Sequence, residues 1–260
     1  MTGSVATRVL GVIAVAAAAV MALLALWISP PDVVQGDAVR LMYVHVPSIW
    51  VAYASFVVTA AASARLLWRS RAASPSSGSA TAMRRLDRIA GAAAELGVLF
   101  TALTLLTGSL WGNVTWGTYW QWDARLTTTV LLFVTYLGYL ALRRLPSEPR
   151  MRARRAAVMA LIATVNLPIV HFSVDWWRTL HQEPSLSVGR RPEITGEMLW
   201  TLMYSWAAVT VIALWLGVHR FRVLRLEELA EEEAIAHLLE ERRVEQAVGP
   251  PTTIRQARDD

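Results

Sequence analysis

Apolar residues gather into six runs, each about as long as a helix needs to cross a bilayer. They cover Val9–Ile28, Pro47–Trp68, Ile89–Leu110, Leu126–Leu142, Ala156–Phe172 and Gly196–Val218. No run shows the strict alternation of a half-buried strand. The pattern predicts an all-α polytopic membrane protein with six transmembrane helices. The first run closes on Leu26-Trp27-Ile28-Ser29-Pro30 rather than on a small-residue cleavage site, so an uncleaved anchor is expected. Pro47 suits the first turn of the second span, and Pro168 is expected to kink the fifth near its far end.

The polar segments between the runs are of two kinds. Segments 65–88 and 143–155 each carry six arginines, whereas 29–46, 111–125 and 173–195 carry few, roughly offset by acidic residues. By the positive-inside rule the first two face the cytoplasm and the other three face outward. Six spans then bring both termini to the cytoplasmic side. Residues 1–220 form the transmembrane domain of this reading, and 221–260 a charged, partly helical cytoplasmic tail. Glu95, a carboxylate inside a span, is expected to pair with Arg88 or to reach the inner interface.

Composition agrees: 55% of residues are hydrophobic and 17% charged, the balance of a membrane protein. The net charge of +5 would suit nucleic acid, but the arginines lie beside apolar spans, where membrane orientation accounts for them. With no cysteine in the chain, disulfides, thiolate metal sites and thioether attachment to this protein are excluded.

The chemistry concentrates on the outward side. Trp111 to Arg125 holds four of the twelve tryptophans, with Tyr119, Gly112, Gly117, Asp123 and Arg125. Interfacial aromatic belts explain scattered tryptophans, and a belt remains one reading of this cluster. A flat aromatic surface for a flat amphiphilic ligand is the other. If its middle were a surface helix, Trp116, Tyr119, Trp120 and Asp123 would share one face. Asp123 is also placed to cap the fourth span. Two histidines, His45 and His181, fall in outward loops; His171, at the outer end of the fifth span, is expected to serve packing or a hydrogen bond. Two imidazoles from different loops suit the opposite axial positions of a haem iron. Arg125, Arg178, Arg190 and Arg191 are outward cations suited to propionate carboxylates, and the pattern does not choose among them.

Three motifs carry a resemblance. They are Trp111-Gly-x-x-x-Trp116-Gly-x-x-Trp120-x-Trp122-Asp123-Ala-Arg125, Tyr43-Val-His45-Val-Pro47-x-x-Trp50, and Asn166-Leu-Pro-Ile-Val-His171 running on to Thr179-Leu-His181-Gln182. The first resembles the WWD signature of the haem-handling proteins of cytochrome c maturation, and all three in this order resemble the CcmC family, over about residues 30–220. The resemblance implies non-covalent, b-type haem at the outer face of the bacterial cytoplasmic membrane, with His45 and His181 as axial iron ligands. It implies porphyrin contacts from Trp111, Trp116, Trp120, Trp122, Asp123 and Arg125. It also implies delivery of haem to the chaperone CcmE, alongside the ABC-type CcmA/CcmB complex and the small CcmD, without turnover chemistry of the protein's own. The acidic tail from Glu227 departs from the compact C-terminus expected of the family. A haem b electron-transfer subunit and a non-haem scaffold of an ABC-type complex remain the competing readings.

Overall fold

The computed structural model describes residues 4–72, 77–181 and 194–248. Among them six helical segments are long and apolar enough to cross a membrane, and there is no β-strand beyond an isolated bridge between Asp32 and Gly36. Residues to Phe221 form one compact unit and those from Arg222 a second.

Helix α1 (Val5–Leu23) is capped by Ser4, whose Oγ accepts from the Thr7 N–H, and runs on through a widened turn at Leu24–Ile28. The next segment is held by its polar side chains. Asp32 Oδ1 accepts the Val34 and Gln35 N–H groups at 2.8 and 2.7 Å, and Arg40 binds both Asp37 and the Ala25 carbonyl. A single 3₁₀ turn, Asp37–Leu41, leads directly into α2 (Met42–Ala72). The second span therefore starts before Pro47, and His45 lies inside a helix rather than in the loop expected. The preceding 3₁₀ turn lets the helix begin early, and Pro47 sits only far enough inside to remove the N–H that would reach the Tyr43 carbonyl.

Helix α3 (Ser77–Trp116) packs along α2 over much of its length. Gly97 lets the Phe56 ring approach its backbone, and Phe56 stacks on Tyr136 of α4 with ring centroids 3.8 Å apart. Buried alanines at 90, 93, 94, 156, 160 and 163 provide the small surfaces that bring apolar helices together where water does not drive packing. Helix α3 overruns its predicted end by a turn and a half. It stops where Gly117, at φ +74°, turns the backbone and donates to the Asn113 carbonyl. Residues 117–123 are not helical, so the shared face predicted for Trp116, Tyr119, Trp120 and Asp123 does not form.

Helix α4 (Ala124–Arg144) begins on Asp123, whose Oδ1 accepts the Leu126 N–H at 2.8 Å, as expected of a cap. The fifth span is broken as Pro168 predicts: α5 (Pro149–Thr164) ends, Val165 intervenes, and α6 (Asn166–Trp176) follows. Pro168 cannot donate to the Thr164 carbonyl, which is where the regular ladder fails. Helix α7 spans Gly196–Val248. At the end of the first unit opposite the tryptophan-rich stretch, Asp87 and Arg143 pair through both oxygens at 2.5 and 2.9 Å. Glu95 takes Arg220 of α7 in a two-point pair; its partner comes from a distant helix, where the sequence reading looked along α3 to Arg88. In the second unit the helix exposes Leu226, Leu229, Leu238 and Leu239 and carries a His237–Glu241 pair at 3.3 Å.

A cavity between two histidines

The helix register builds the site. On α2, Met42, His45, Val46, Ile49 and Tyr53 repeat at three- and four-residue spacing and line one cavity; on α3, Thr104, Gly108, Trp111 and Thr115 do the same. Arg125 and Thr129 of α4, His171 of α6 and Met198 and Leu202 of α7 complete the wall. The cavity volume is about 660 Å³, within the range of small-molecule and cofactor sites. Both His45 and His181 line it.

Each imidazole is held at one nitrogen. His45 Nδ1 lies 3.2 Å from Thr107 Oγ1, and that hydroxyl donates its proton to the Leu103 carbonyl at 2.8 Å. With that proton on the carbonyl, Thr107 accepts from His45 Nδ1–H, the tautomer that leaves the lone pair on Nε2. The ring is wedged between Gly108 and Trp111, edge-on to the latter at 5.7 Å. His181 Nδ1 lies 3.1 Å from Asp123 Oδ2, a carboxylate that only accepts, so here too Nε2 keeps the lone pair. Trp116 meets the His181 ring edge-on at 4.7 Å. Burial pushes His181 below the ordinary histidine value; the hydrogen bond and charge of Asp123 oppose the shift, and Arg125 adds to it. The ring is thus kept neutral, the form that donates to a metal.

The other residues singled out in the sequence divide. Trp111 and Trp116 line the cavity, one beside each histidine, and Trp111 Nε1 donates to Gln35 at 2.8 Å. Trp120 and Trp122 stand outside the lining, edge-on to each other at 5.3 Å; Trp122 is 71% exposed, and Trp120 Nε1 is buried without a hydrogen-bond partner. Asp123 is not in the wall but holds His181 and the Leu180 N–H. Arg125 is the cavity's arginine among the described residues, anchored to the His171 carbonyl at 2.9 Å and Ser173 Oγ at 3.3 Å. Arg178 is not in the lining, and Arg190 and Arg191 lie outside the described residues. Sequence reasoning missed Thr107, Gly108, Tyr53 and the cavity position of His171, which also packs edge-on to Trp50 and Tyr53. For Gly108 the three- and four-residue stripe of Thr104, Gly108, Trp111 and Thr115 was the available signal.

Comparison with known proteins gives the family. The family description "Heme exporter protein C" (CcmC) matches residues 1–236. The chain belongs to the CcmC family. It is 41% identical over 201 residues to heme exporter protein C of Bradyrhizobium diazoefficiens, covering 76% of this chain and 72% of that protein. It is 39% identical over 206 residues to the Haemophilus influenzae protein of the same name, covering 78% of each. A putative cytochrome c biosynthesis ccmC-like mitochondrial protein of Marchantia polymorpha is 37% identical over 164 residues, 63% of this chain and 64% of that one. All three motifs lie within the family match.

Proposed function

We propose that this protein handles haem in cytochrome c maturation: it holds non-covalent, b-type haem between His45 and His181 and delivers it to the chaperone CcmE. One observation carries the reading. Two imidazoles from separate parts of the chain enter one cavity, each with Nδ1 engaged, Nε2 carrying the lone pair, and a tryptophan at its edge. That donor set fits haem iron, for which imidazole nitrogen is a good axial ligand. The tryptophan rings suit the porphyrin plane, and Arg125 suits a propionate carboxylate. The bound group supplies an iron whose axial ligands can exchange. The protein's own residues orient the two imidazoles and close the site with apolar side chains.

The arginines that flank the segments joining α2 to α3 and α4 to α5 support a cytoplasmic position for that end of the bundle, and so an outward-facing haem site in a bacterial inner membrane. On this reading Trp120 and Trp122, at the rim, contact the porphyrin edge or the incoming acceptor. The CcmA/CcmB complex and CcmD are the expected companions. The chain acts as a delivery protein with no bond-making of its own. Co-expression with CcmE tests it. Covalently attached haem on CcmE should accumulate when this chain is present and disappear with His45→Ala or His181→Ala. Equal accumulation with either variant would overturn the assignment.

A further inference from the structure

The two histidines are held unequally. His45 belongs to α2, flanked on both sides by helix, with its ring closed in by Gly108 and its Nδ1 on Thr107, both from α3. Moving it away means parting α2 from α3, which pack along each other extensively. His181 follows the end of α6 at Trp176 on a stretch without regular structure. Among the described residues its ring is hydrogen-bonded by one carboxylate, Asp123, whose Oδ2 accepts from both the His181 ring nitrogen at 3.1 Å and the Leu180 N–H at 3.2 Å. Trp116 meets the ring edge-on, and Thr179 Oγ1 donates to the His181 carbonyl. The same carboxylate fixes itself to α4 by capping Leu126 through Oδ1.

Resting on the haem-binding reading above, we infer that His181 is the axial ligand that yields during hand-over, and that Asp123 is the positioning residue that latches it. Intact, the latch also strengthens the ligand, because a carboxylate on Nδ1 raises the basicity of Nε2. Open, it frees the imidazole to swing with its segment while His45 keeps the iron. In the exchange the iron–Nε2 dative bond of His181 breaks and the incoming donor's lone pair forms its replacement. No electron changes hands and the iron keeps its oxidation state. Thr107 and Asp123 thus have opposite duties, one fixing a permanent ligand and the other timing a temporary one.

Carbon monoxide binding to the full-length, haem-loaded, ferrous protein reads this directly, because the gas must wait for an axial imidazole to leave. Asp123→Asn keeps an N-cap side chain for α4 but turns amide hydrogens toward two groups that themselves donate. The limiting rate should rise roughly ten- to hundredfold, the worth of one hydrogen bond to a charged group. Leu180→Pro, which removes the second donor to Oδ2 without touching the cap, should raise it by less. Thr107→Val, which loosens the other ligand, should raise it by less than Asp123→Asn does. An unchanged rate in Asp123→Asn and Leu180→Pro, or acceleration by Thr107→Val alone, would overturn the inference while leaving the two-histidine site intact. Wild-type protein without six-coordinate haem would overturn the haem-binding reading, and the inference with it.

Discussion

A methyl group at position 108 isolates the role of His45. Gly108 faces the imidazole across the α2–α3 contact, and a Cβ there would lie 2.8 Å from His45 Cε1 and 3.2 Å from Nδ1. Ordinary contact begins at 3.4 Å, so the ring must retreat by at least about 0.6 Å. Its hydrogen bond to Thr107, already 3.2 Å long, has no slack for that movement. Losing a group that orients a metal-binding histidine typically costs 10- to 100-fold in affinity, or about 1.4–2.8 kcal/mol. The helix itself should not suffer, because alanine is favoured over glycine in a helix interior by roughly 0.5–1 kcal/mol. Gly108→Ala should therefore lower haem affinity in a detergent titration, with only a modest drop in the thermal melt because the helix-propensity gain offsets part of the overpacking. Gly138→Ala is the control, since its Cβ would meet only Met159 Cε at 3.8 Å. Wild-type affinity in Gly108→Ala would refute the placement of His45 against α3.

Other outcomes follow from the same contacts. Gly97→Ala puts a methyl into the Phe56 ring at the core and should cost about 1–3 kcal/mol of stability by overpacking, read as a lower melting temperature in detergent. Asp87→Asn leaves the largely buried Arg143 guanidinium without its carboxylate and should cost roughly 3–5 kcal/mol, read by thermal aggregation of the purified protein. Because burial holds His181 below the ordinary histidine value of 6.5, it stays neutral as pH falls through that point and is protonated only below it. Bound haem should thus persist at pH 6.5 and leave at lower pH; a release midpoint above 6.5 in a spectrophotometric titration would contradict this.

The six spans were legible because lipid exposure demands long apolar runs, and the break in the fifth was legible because proline lacks the N–H its helix needs. Asp123 could be read as a cap from its place before Ala124. Its second duty could not, since His181 lies far along the chain and nothing local ties the two. The same holds for Glu95, whose partner Arg220 belongs to another helix. The helical nature of Trp111 to Trp116 was masked by asparagine and threonine among the tryptophans, although Gly117 was the natural stop. Thr107 reads in sequence as one more threonine in an apolar helix. Only the register of α3 against α2 turns it toward His45.

The visible spectrum of the purified protein from haem-sufficient cells, set beside His45→Ala and His181→Ala, tests the central claim most directly. A six-coordinate, low-spin haem spectrum in the wild type, lost in each variant, is the predicted result. A colourless wild type, or an unaltered low-spin spectrum in both variants, would contradict it.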